Sequence, residues 1–452
     1  MRVTYRFYFA SIFIGIISGF VCVTFRYLIY WADNIRIGLF KTNNFSDFQR
    51  SINYGLTLHD ILFLIIKYLI LFLLTLLFLN IVHRLVKKFP TTSGSGLPQT
   101  KALLEKKMEY KSPFKNILAK FFGGILSISS GLSFGREGSS VQIGSLIGFI
   151  FSRSFKIEKD NSNYLIAAGA GAGISAAFTA PLASSILILE SLKNDYTADL
   201  KKLTISTLLS GLCAGIIAIS FFPTNIYSSI IIIKPELKEH QMLMLLIIMA
   251  ILFSILGKLF SNLFIFIKLH YERFQRKYDR QYIMLAALIV IITFFYPSLV
   301  GGNQIFAIEI IENNSHSLFI NLLILAILAT LTIISNATGF PGGLFIPLLS
   351  MGGLLGKIFC ITLAHFDIIS LSNTGYFVFI GMSVFFISVV RTPLTGFILI
   401  SEMTGNYDVM FPTLVVGILT YVFTEIMKVR PLDNILYDLM MKNRINTDSS
   451  CS

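Results

Sequence analysis

GREGSSVQIGSLIG, residues 135–148, places Arg136 and Glu137 at the start of a stretch that carries no other charge. Its glycine spacing returns in GLFIPLLSMGGLLG, residues 343–356, at an offset of 208. Two further pairs match in the same order: APLASSILILE (180–190) with TPLTGFILISE (392–402), and GSGLP (94–98) with GGNQI (301–305). Ordered matches at nearly one offset predict two structural repeats, about 84–192 and about 290–404.

The composition indicates a protein that lies mostly in a membrane. Hydrophobic residues make up 54% of the chain and charged residues 13%. Apolar runs at 61–79, 242–267 and 282–295 approach or exceed the length that crosses a bilayer, and none alternates in polarity as a barrel strand does. The run from Phe7 to about Tyr30 is too long for a secretory signal. These observations predict an all-α polytopic membrane protein.

The charge distribution predicts the topology. Eight Lys and Arg lie between His83 and Lys115 and five between Lys268 and Arg280, whereas residues 301–318 hold none. The positive-inside rule therefore places the first two loops in the cytoplasm and the third outside, so that the two repeats run in opposite directions. We expect a multi-pass protein of the inner (plasma) membrane with both termini cytoplasmic. The net charge of +13 is spread over loops, which excludes a nucleic-acid partner and favours contact with membrane lipids.

Glycine and proline interrupt the apolar segments at matching places in the two halves. The segments after Gly135 and Gly343 are predicted to be too short to span, the second being split by Gly352 and Gly353. Inverted repeats with interrupted helices are typical of transporters and channels. Helix starts are expected at Ser95, at Glu137, and at Phe345 with Ile346, and their unpaired N–H groups would bind a small anion.

Glu137 needs a special environment because a charged side chain at membrane depth costs about 3 kcal/mol or more. A helix N-terminus is such an environment, because its partial positive charge stabilises anions. We therefore expect the Glu137 carboxylate to occupy an anion site as an internal blocker. It would leave when a proton or a competing anion takes over.

At these residues the chain resembles the CLC family of chloride channels and chloride/proton exchangers. GSGLP, GREGSSVQIG and GLFIP look like the three filter motifs of that family, and AAFTAPLASSILILE and RTPLTGFILISEMTGNY resemble its following helices. The resemblance implies a homodimer with one pore per subunit and neither a cofactor nor a metal. It implies chloride as substrate, with protons as a second substrate in the exchangers. It implies that Glu137 is the external gating glutamate and that chloride meets Ser95, Tyr437, Phe345 and Ile346; Gly94, Arg136 and Gly138 complete the candidate chloride-binding residues.

Two positions depart from the family pattern. Ser139 replaces the proline after GREG, and Ser191 falls at the position of the internal proton relay, with Glu190 one place early. Serine carries no charge, so two readings stay open. Either Glu190 or water substitutes and the protein is a chloride/proton antiporter, or it is a passive, uncoupled chloride channel.

The expected domain organisation is one transmembrane domain, 1–445, followed by a short polar tail, 446–452. The cytoplasmic regulatory domains of many eukaryotic members have no room here, which favours the prokaryotic type. By the same resemblance, Ser95 implies chloride and not fluoride as the transported ion.

Several of these residues have simpler interpretations. Ser95 is also a normal helix cap, Tyr437 a normal interfacial aromatic, and Glu190 a normal partner for a helix end. Lys120 would place its ammonium group at the membrane surface, and Arg136 could pair with a carboxylate to hold its loop. GLSFG (131–135) fits the nucleophile elbow around Ser133, but that motif needs a preceding strand and a histidine partner, so an intramembrane hydrolase or a non-transporting receptor is a remote alternative.

Overall fold

The chain folds as a bundle of helices of very different lengths. A computed structural model describes residues 2–41, 58–155, 157–191, 199–222, 232–277, 281–312, 317–406 and 408–449. These residues form seventeen α-helices, which confirms the predicted all-α class. They are α1 (Arg2–Lys41), α2 (Leu58–Lys88), α3 (Leu97–Leu104), α4 (Pro113–Ser129), α5 (Glu137–Ser154), α6 (Lys159–Phe178), α7 (Pro181–Ser191), α8 (Leu200–Phe221), α9 (Glu239–Lys277), α10 (Gln281–Phe295), α11 (Gln304–Glu312), α12 (Leu318–Ala337), α13 (Phe345–His365), α14 (Thr374–Val390), α15 (Pro393–Thr404), α16 (Met410–Ile426) and α17 (Leu432–Ser449).

Within the described ranges, seven helical segments are long and apolar enough to cross a bilayer. The first contains the run predicted from Phe7 to Tyr30. The seven segments are Tyr5–Phe40, His59–Lys88, Leu200–Phe221, Glu239–Tyr271, Leu318–Ala337, Phe345–His365 and Leu371–Val390. The predicted tail from 446 continues α17 as far as Ser449, and residues 450–452 lie outside the described residues.

Glycine contacts repeat in the two halves. A Cβ atom added to Gly148 in α5 would lie 2.9 Å from the carbonyl carbon of Leu165 in α6. The same atom on Gly356 in α13 would lie 2.8 Å from the carbonyl carbon of Phe377 in α14. Each helix pair therefore packs backbone against backbone, and only glycine permits so close an approach. The two pairs are the predicted repeat equivalents.

Gly352 and Gly353 do not split the second repeat, contrary to the sequence prediction. Both lie inside the continuous helix α13, which runs for 21 residues. They are buried against α14, where a Cβ on Gly352 would lie 2.9 Å from Cα of Met382. Their small size serves helix packing here, and the interruption lies before Phe345 instead.

The loops ahead of the helix pairs exchange hydrogen bonds between the repeats. Four backbone bonds form two equivalent pairs: Gly94 N to Gly339 O at 3.0 Å with Gly342 N to Gly94 O at 3.4 Å, and Gly301 N to Gly131 O at 3.1 Å with Phe134 N to Gly301 O at 3.3 Å. Four of these glycines have positive φ, a conformation that glycine adopts without strain: Gly94, Gly131, Gly301 and Gly339. Each repeat thus holds the loop of the other.

A single antiparallel bridge joins Gly135 and Gly343, which are equivalent residues in the two repeats. Gly135 N donates to Gly343 O at 2.9 Å, and Gly343 N donates to Gly135 O at 2.5 Å. Reciprocal bonds between equivalent residues place this pair at the two-fold axis that relates inverted repeats. α5 and α13 both begin two residues beyond it.

Candidate functional site

Three glycine-containing loops meet beside the Gly135–Gly343 bridge. The backbone of Gly138, in the first turn of α5, packs against the Ser95 and Gly343 backbones. A Cβ added to Gly138 would lie 2.9 Å from the carbonyl carbon of Ser95 and 3.1 Å from Cα of Gly343. The three motifs identified in the sequence are therefore brought together in space. We call this place the glycine junction and define it by Ser95, Gly135, Gly138 and Gly343.

The Glu137 side chain is fully buried at the glycine junction. It folds back over Gly135, and a Cβ on Gly343 would lie 2.8 Å from its Oε2 atom. Neither carboxylate oxygen has a hydrogen bond of normal geometry within the described structure. The backbone N–H groups of Ile346, Arg136 and Glu137 itself face the carboxylate. An acidic group therefore occupies a place that helix ends make favourable for anions.

The second repeat supplies the helix start predicted at Phe345 and Ile346. The first hydrogen bond of α13 runs from Leu348 N to Leu344 O, so the N–H groups of Phe345 and Ile346 have no acceptor within the helix. Both side chains are buried, with exposed fractions of 4% and 5%. The Phe345 ring contacts that of Phe386 edge-on, at 5.0 Å between centroids.

Ser95 does not cap α3, although serine is a common cap. The N-cap is Gly96, at φ 99°, and no side chain caps this helix. The Ser95 hydroxyl is buried and has no hydrogen-bond partner in the part of the chain that the structure describes. Ser139 lies in the first turn of α5 and, unlike a proline, has a backbone N–H group. Its hydroxyl is also buried without a hydrogen-bond partner among the described residues. A buried unpaired hydroxyl is costly, and a bound anion would satisfy it.

Lys120 holds the loop that carries Ser95, and the expectation that its ammonium group reaches the membrane surface is wrong. Its side chain is fully buried, and Nζ donates to the carbonyl oxygens of Thr92 at 2.9 Å and Gly94 at 2.6 Å. A buried amino group therefore lies directly behind Gly94. Its two hydrogen bonds fix the loop that carries Ser95.

Arg136 is committed to backbone and amide groups. Nε and Nη2 donate to the carbonyl oxygen of Ala177 at 3.1 and 3.0 Å, and Nη1 donates to Oε1 of Gln304. These bonds tie the start of α5 to the ends of α6 and α11. These hydrogen bonds hold the loop through a backbone carbonyl and a side-chain amide oxygen, where the sequence had suggested a carboxylate.

The Tyr437 hydroxyl lies at the far end of α3 from Ser95. It donates to Oε2 of Glu105, the residue that caps the carboxyl end of α3, and accepts from Nζ of Lys107 at 3.3 Å. α3 has eight residues, about 12 Å of helix, and Ser95 precedes its amino end. The structure does not bring the two predicted hydroxyl ligands together.

The charged neighbours of Tyr437 also set the state of Glu105. Burial raises the pKa of Glu105, but the hydrogen bonds from Lys107 and Tyr437 lower it more, so the net pKa lies below its usual range. The carboxylate is therefore ionised at neutral pH and keeps the tyrosine hydroxyl as a donor.

Glu190 and Glu402 each bind the start of the other's helix. Oε1 and Oε2 of Glu190 accept from the N–H groups of Leu394 and Thr395 at 3.0 and 2.9 Å. Glu402 accepts from Leu182 and Ala183 in the same way, at 3.0 and 2.7 Å. Since α7 and α15 are repeat equivalents, this is a reciprocal cap, as the simpler reading of Glu190 predicted. Ser191 is the last residue of α7 and is partly buried.

Ser133 is a structural residue. Its hydroxyl contacts Thr332 Oγ1 at 2.8 Å and accepts from Asn303 Nδ2 at 2.6 Å, and neither of these side chains is a base. It precedes α5 in a loop, not at the end of a strand. The geometry required for a nucleophile elbow is not met.

Sequence reasoning missed Lys120 as a loop anchor and passed over Asp433. The fate of Lys120 depends on carbonyl oxygens 26 and 28 residues earlier in the chain, which no local pattern encodes. Asp433 lies in the first turn of α17, and its Oδ2 atom is buried without a partner among the described residues. An acidic residue two positions after Pro431 was the available signal.

Comparisons with known proteins agree with this geometry. Residues 78–425 match the family model described as voltage gated chloride channel. The chain is 28% identical over 446 residues to the H(+)/Cl(-) exchange transporter ClcA of Vibrio cholerae serotype O1, covering 96% of this chain and 90% of that protein. It is 29% identical over 434 residues to the ClcA of Citrobacter koseri, covering 93% and 85%.

Among solved structures, a slow cyanobacterial Cl-/H+ antiporter superposes with a TM-score of 0.82 at 27% identity, covering 97% of this chain and 98% of that one. The family model covers well over half of the chain, and the folds agree from end to end. The protein therefore belongs to the voltage-gated chloride channel (CLC) family.

Proposed function

We propose that this protein moves chloride across a membrane in exchange for protons, with Glu137 as the gate. The observation that carries the proposal is the buried Glu137 carboxylate, which lacks a hydrogen bond of normal geometry where α5 and α13 begin. This chain covers 90% and 85% of two relatives that are named H(+)/Cl(-) exchange transporter. No catalytic chemistry or cofactor is needed for such a role.

The anion site in this proposal is neutral in its ligands and positive in its potential. The unpaired N–H groups of Phe345 and Ile346 come from one repeat, and those of the first turn of α5, including Gly138, come from the other. The idle Ser95 hydroxyl supplies a further donor. A small anion gains several hydrogen bonds there without a full counter-charge, so it can also leave.

Glu137 competes with chloride for the same donors. While ionised, its carboxylate occupies the helix ends and blocks the anion path. Protonation removes the charge and with it the attraction to the helix N-termini, so the side chain yields its place to chloride. Each opening would then couple the movement of a proton to that of chloride in the opposite direction.

An uncoupled chloride channel is the second candidate, and one observation favours it. Both oxygens of Glu190 are engaged at the start of α15, and Ser191 cannot carry a proton as a charge. Protons would then have to reach Glu137 from inside by another route, or not at all.

We further propose a single transmembrane domain, 1–445, in a plasma membrane, with both termini cytoplasmic. The basic loops support this orientation. A homodimer belongs to the same proposal, because the resemblance to the CLC family implies one. Mass measurement of the detergent-solubilised protein tests this: a monomeric mass at micromolar concentration contradicts it.

One experiment tests the function and separates the two candidates. Purified protein is placed in liposomes with a chloride gradient, and the external pH is recorded. Uphill proton movement driven by chloride supports the exchanger, and chloride flux without it supports the channel. Vesicles that show no chloride flux above those without protein contradict both.

A further inference from the structure

Asp433 is a buried acidic group that the proposed transport cycle does not use. It lies in the first turn of α17, and the residue as a whole is partly exposed. Its Oδ2 atom, however, is shielded from solvent and has no hydrogen-bond partner within the described ranges. An unpaired buried carboxylate oxygen is costly, so this position invites a functional explanation.

The contacts of α17 with α3 place Asp433 beside α3, the helix that begins next to Ser95. Tyr437 contacts Glu105 at the carboxyl end of α3. One turn earlier, the Asn434 side chain accepts a hydrogen bond from Lys101 Nζ at 2.8 Å. The amino end of α17 therefore lies closer to the amino end of α3, which Ser95 precedes, than the following turn of α17 does. Asp433 is the acidic residue of α17 on that side.

The contacts of α3 with α5 place Glu137 beyond Ser95. Gly96 packs against Gln142 near the start of α5, and Thr100 Oγ1 lies 3.1 Å from Ser145 Oγ, further along α5. α3 therefore leads away from Glu137 as it runs toward Lys101. Eight residues of α5 separate the levels of Glu137 and Ser145, about 12 Å of helix. Glu137 therefore lies near the level of Ser95, whereas Asp433 lies near Lys101, further along α3.

Among the described residues, few charged groups face Asp433. α17 packs against α3, which presents Lys101, and against α14, whose sequence holds no charged residue and one titratable residue, Tyr376. On α17 itself, Tyr437 is engaged by Glu105, and Asp438 is exposed and paired with Arg430 at 2.6 Å. Lys101 is therefore the principal charge acting on Asp433.

The carboxyl group is suited to titration near neutral pH. Burial raises the pKa of Asp433 to about 6, and the positive charge of Lys101 limits the rise. Below that pH the group is neutral, and its O–H can donate a hydrogen bond to an anion. Above it, the carboxylate is an acceptor only and repels one. Partial exposure of the residue gives aqueous protons access.

We propose that Asp433 is a second, proton-dependent gate, which closes the anion path near Lys101, further along α3 than Glu137, when it is ionised and opens it when it is protonated. The proton comes from and returns to water, and no bond other than O–H forms or breaks. This inference rests on the proposed anion transport. It adds a second titratable group in addition to Glu137.

The test removes the first gate in order to expose the second. Chloride efflux from liposomes is measured from pH 4.5 to 7.5, at equal pH on both sides, for E137Q, E137Q/D433N and E137Q/D438N. We expect E137Q to keep a residual fall in flux as the pH rises through about 6. E137Q/D433N should lose this fall and stay at the fast rate, whereas the matched control E137Q/D438N should keep it.

A charge variant supplies a second readout. Lys101→Met in the E137Q background removes the cation that favours ionised Asp433, so the midpoint of the residual fall should move to higher pH. An unchanged fall in E137Q/D433N, or no residual fall in E137Q, overturns the proposal about Asp433 while leaving the chloride flux itself intact. Absence of chloride flux from the wild-type protein overturns the proposed function and this inference with it.

Discussion

The glycine junction and the contact between α7 and α15 both place acidic side chains where helices begin, yet the hydrogen bonding of those side chains differs. Glu190 and Glu402 have both oxygens bonded to N–H groups of the facing helix. Glu137 faces N–H groups as well but forms no hydrogen bond of normal geometry. A saturated carboxylate holds two helices together. A carboxylate without such bonds can exchange its place with another anion, which is what the proposed gate requires.

The largest expected effect comes from neutralising the unsaturated acid. Glu137→Gln should abolish chloride-driven proton movement completely, because an amide neither takes up a proton nor competes as an anion. Thermal unfolding should change little, since no hydrogen bond is lost. The check is the liposome assay with external pH recording. Proton movement at the wild-type rate in E137Q would mean that Glu137 is not the gate.

The second largest effect is expected from a substitution in the backbone contact of the glycine junction. Gly138→Ala places a methyl group 2.9 Å from the carbonyl carbon of Ser95 and 3.1 Å from Cα of Gly343, and neither backbone atom can give way easily. We expect a loss of about 1–3 kcal/mol in the free energy of unfolding, together with slower chloride flux. Gly38→Ala in α1 is the matched control, because a Cβ there meets nothing within 4 Å. Equal behaviour of the two variants contradicts close packing at the junction.

The reciprocal cap should respond in stability alone. In Glu402→Gln and Glu190→Gln, one carboxylate oxygen becomes an NH2 group that cannot accept from the facing N–H. Each change should cost about 0.5–2 kcal/mol, by similar amounts because the two sites are repeat equivalents. Denaturation in detergent measures this cost. The pH dependence of chloride flux should stay as in the wild type, and its loss in E190Q would instead support Glu190 as a proton relay.

The smallest expected effect separates two serine hydroxyls. Ser95→Ala removes a hydroxyl without a described partner, so the protein should keep its stability and bind chloride several-fold more weakly, about 0.5–1.5 kcal/mol. Ser133→Ala removes a hydroxyl bonded to Thr332 and Asn303, so it should lower stability and leave chloride binding unchanged. Calorimetric titration with chloride distinguishes them. Equal chloride affinity in S95A and wild type contradicts a role of Ser95 in the site.

Sequence reasoning succeeded where the signal is periodic or repeated. The offsets of 207 and 208 located the equivalent loops around Gly94 and Gly301, each of which forms a matching pair of hydrogen bonds with the other repeat. It failed at Gly352 and Gly353, because a glycine that interrupts a helix and one that lets two helices touch look alike in sequence. It also misjudged Lys120, because two carbonyl oxygens of a distant loop retain its ammonium group.

The sequence by itself determined the membrane class, the helical fold, the repeats and the residue types at the helix starts. These follow from hydropathy, spacing and the local chemistry of glycine and acidic residues, which are written along the chain. Only the tertiary structure decided which carboxylate oxygens accept hydrogen bonds and which lack a partner among the described residues. Whether a donor meets an acceptor depends on helices that lie far apart in the sequence. The difference in hydrogen bonding between Glu137 and Glu190, and the position of Asp433 near Lys101, therefore depend on how α3, α5, α15 and α17 pack.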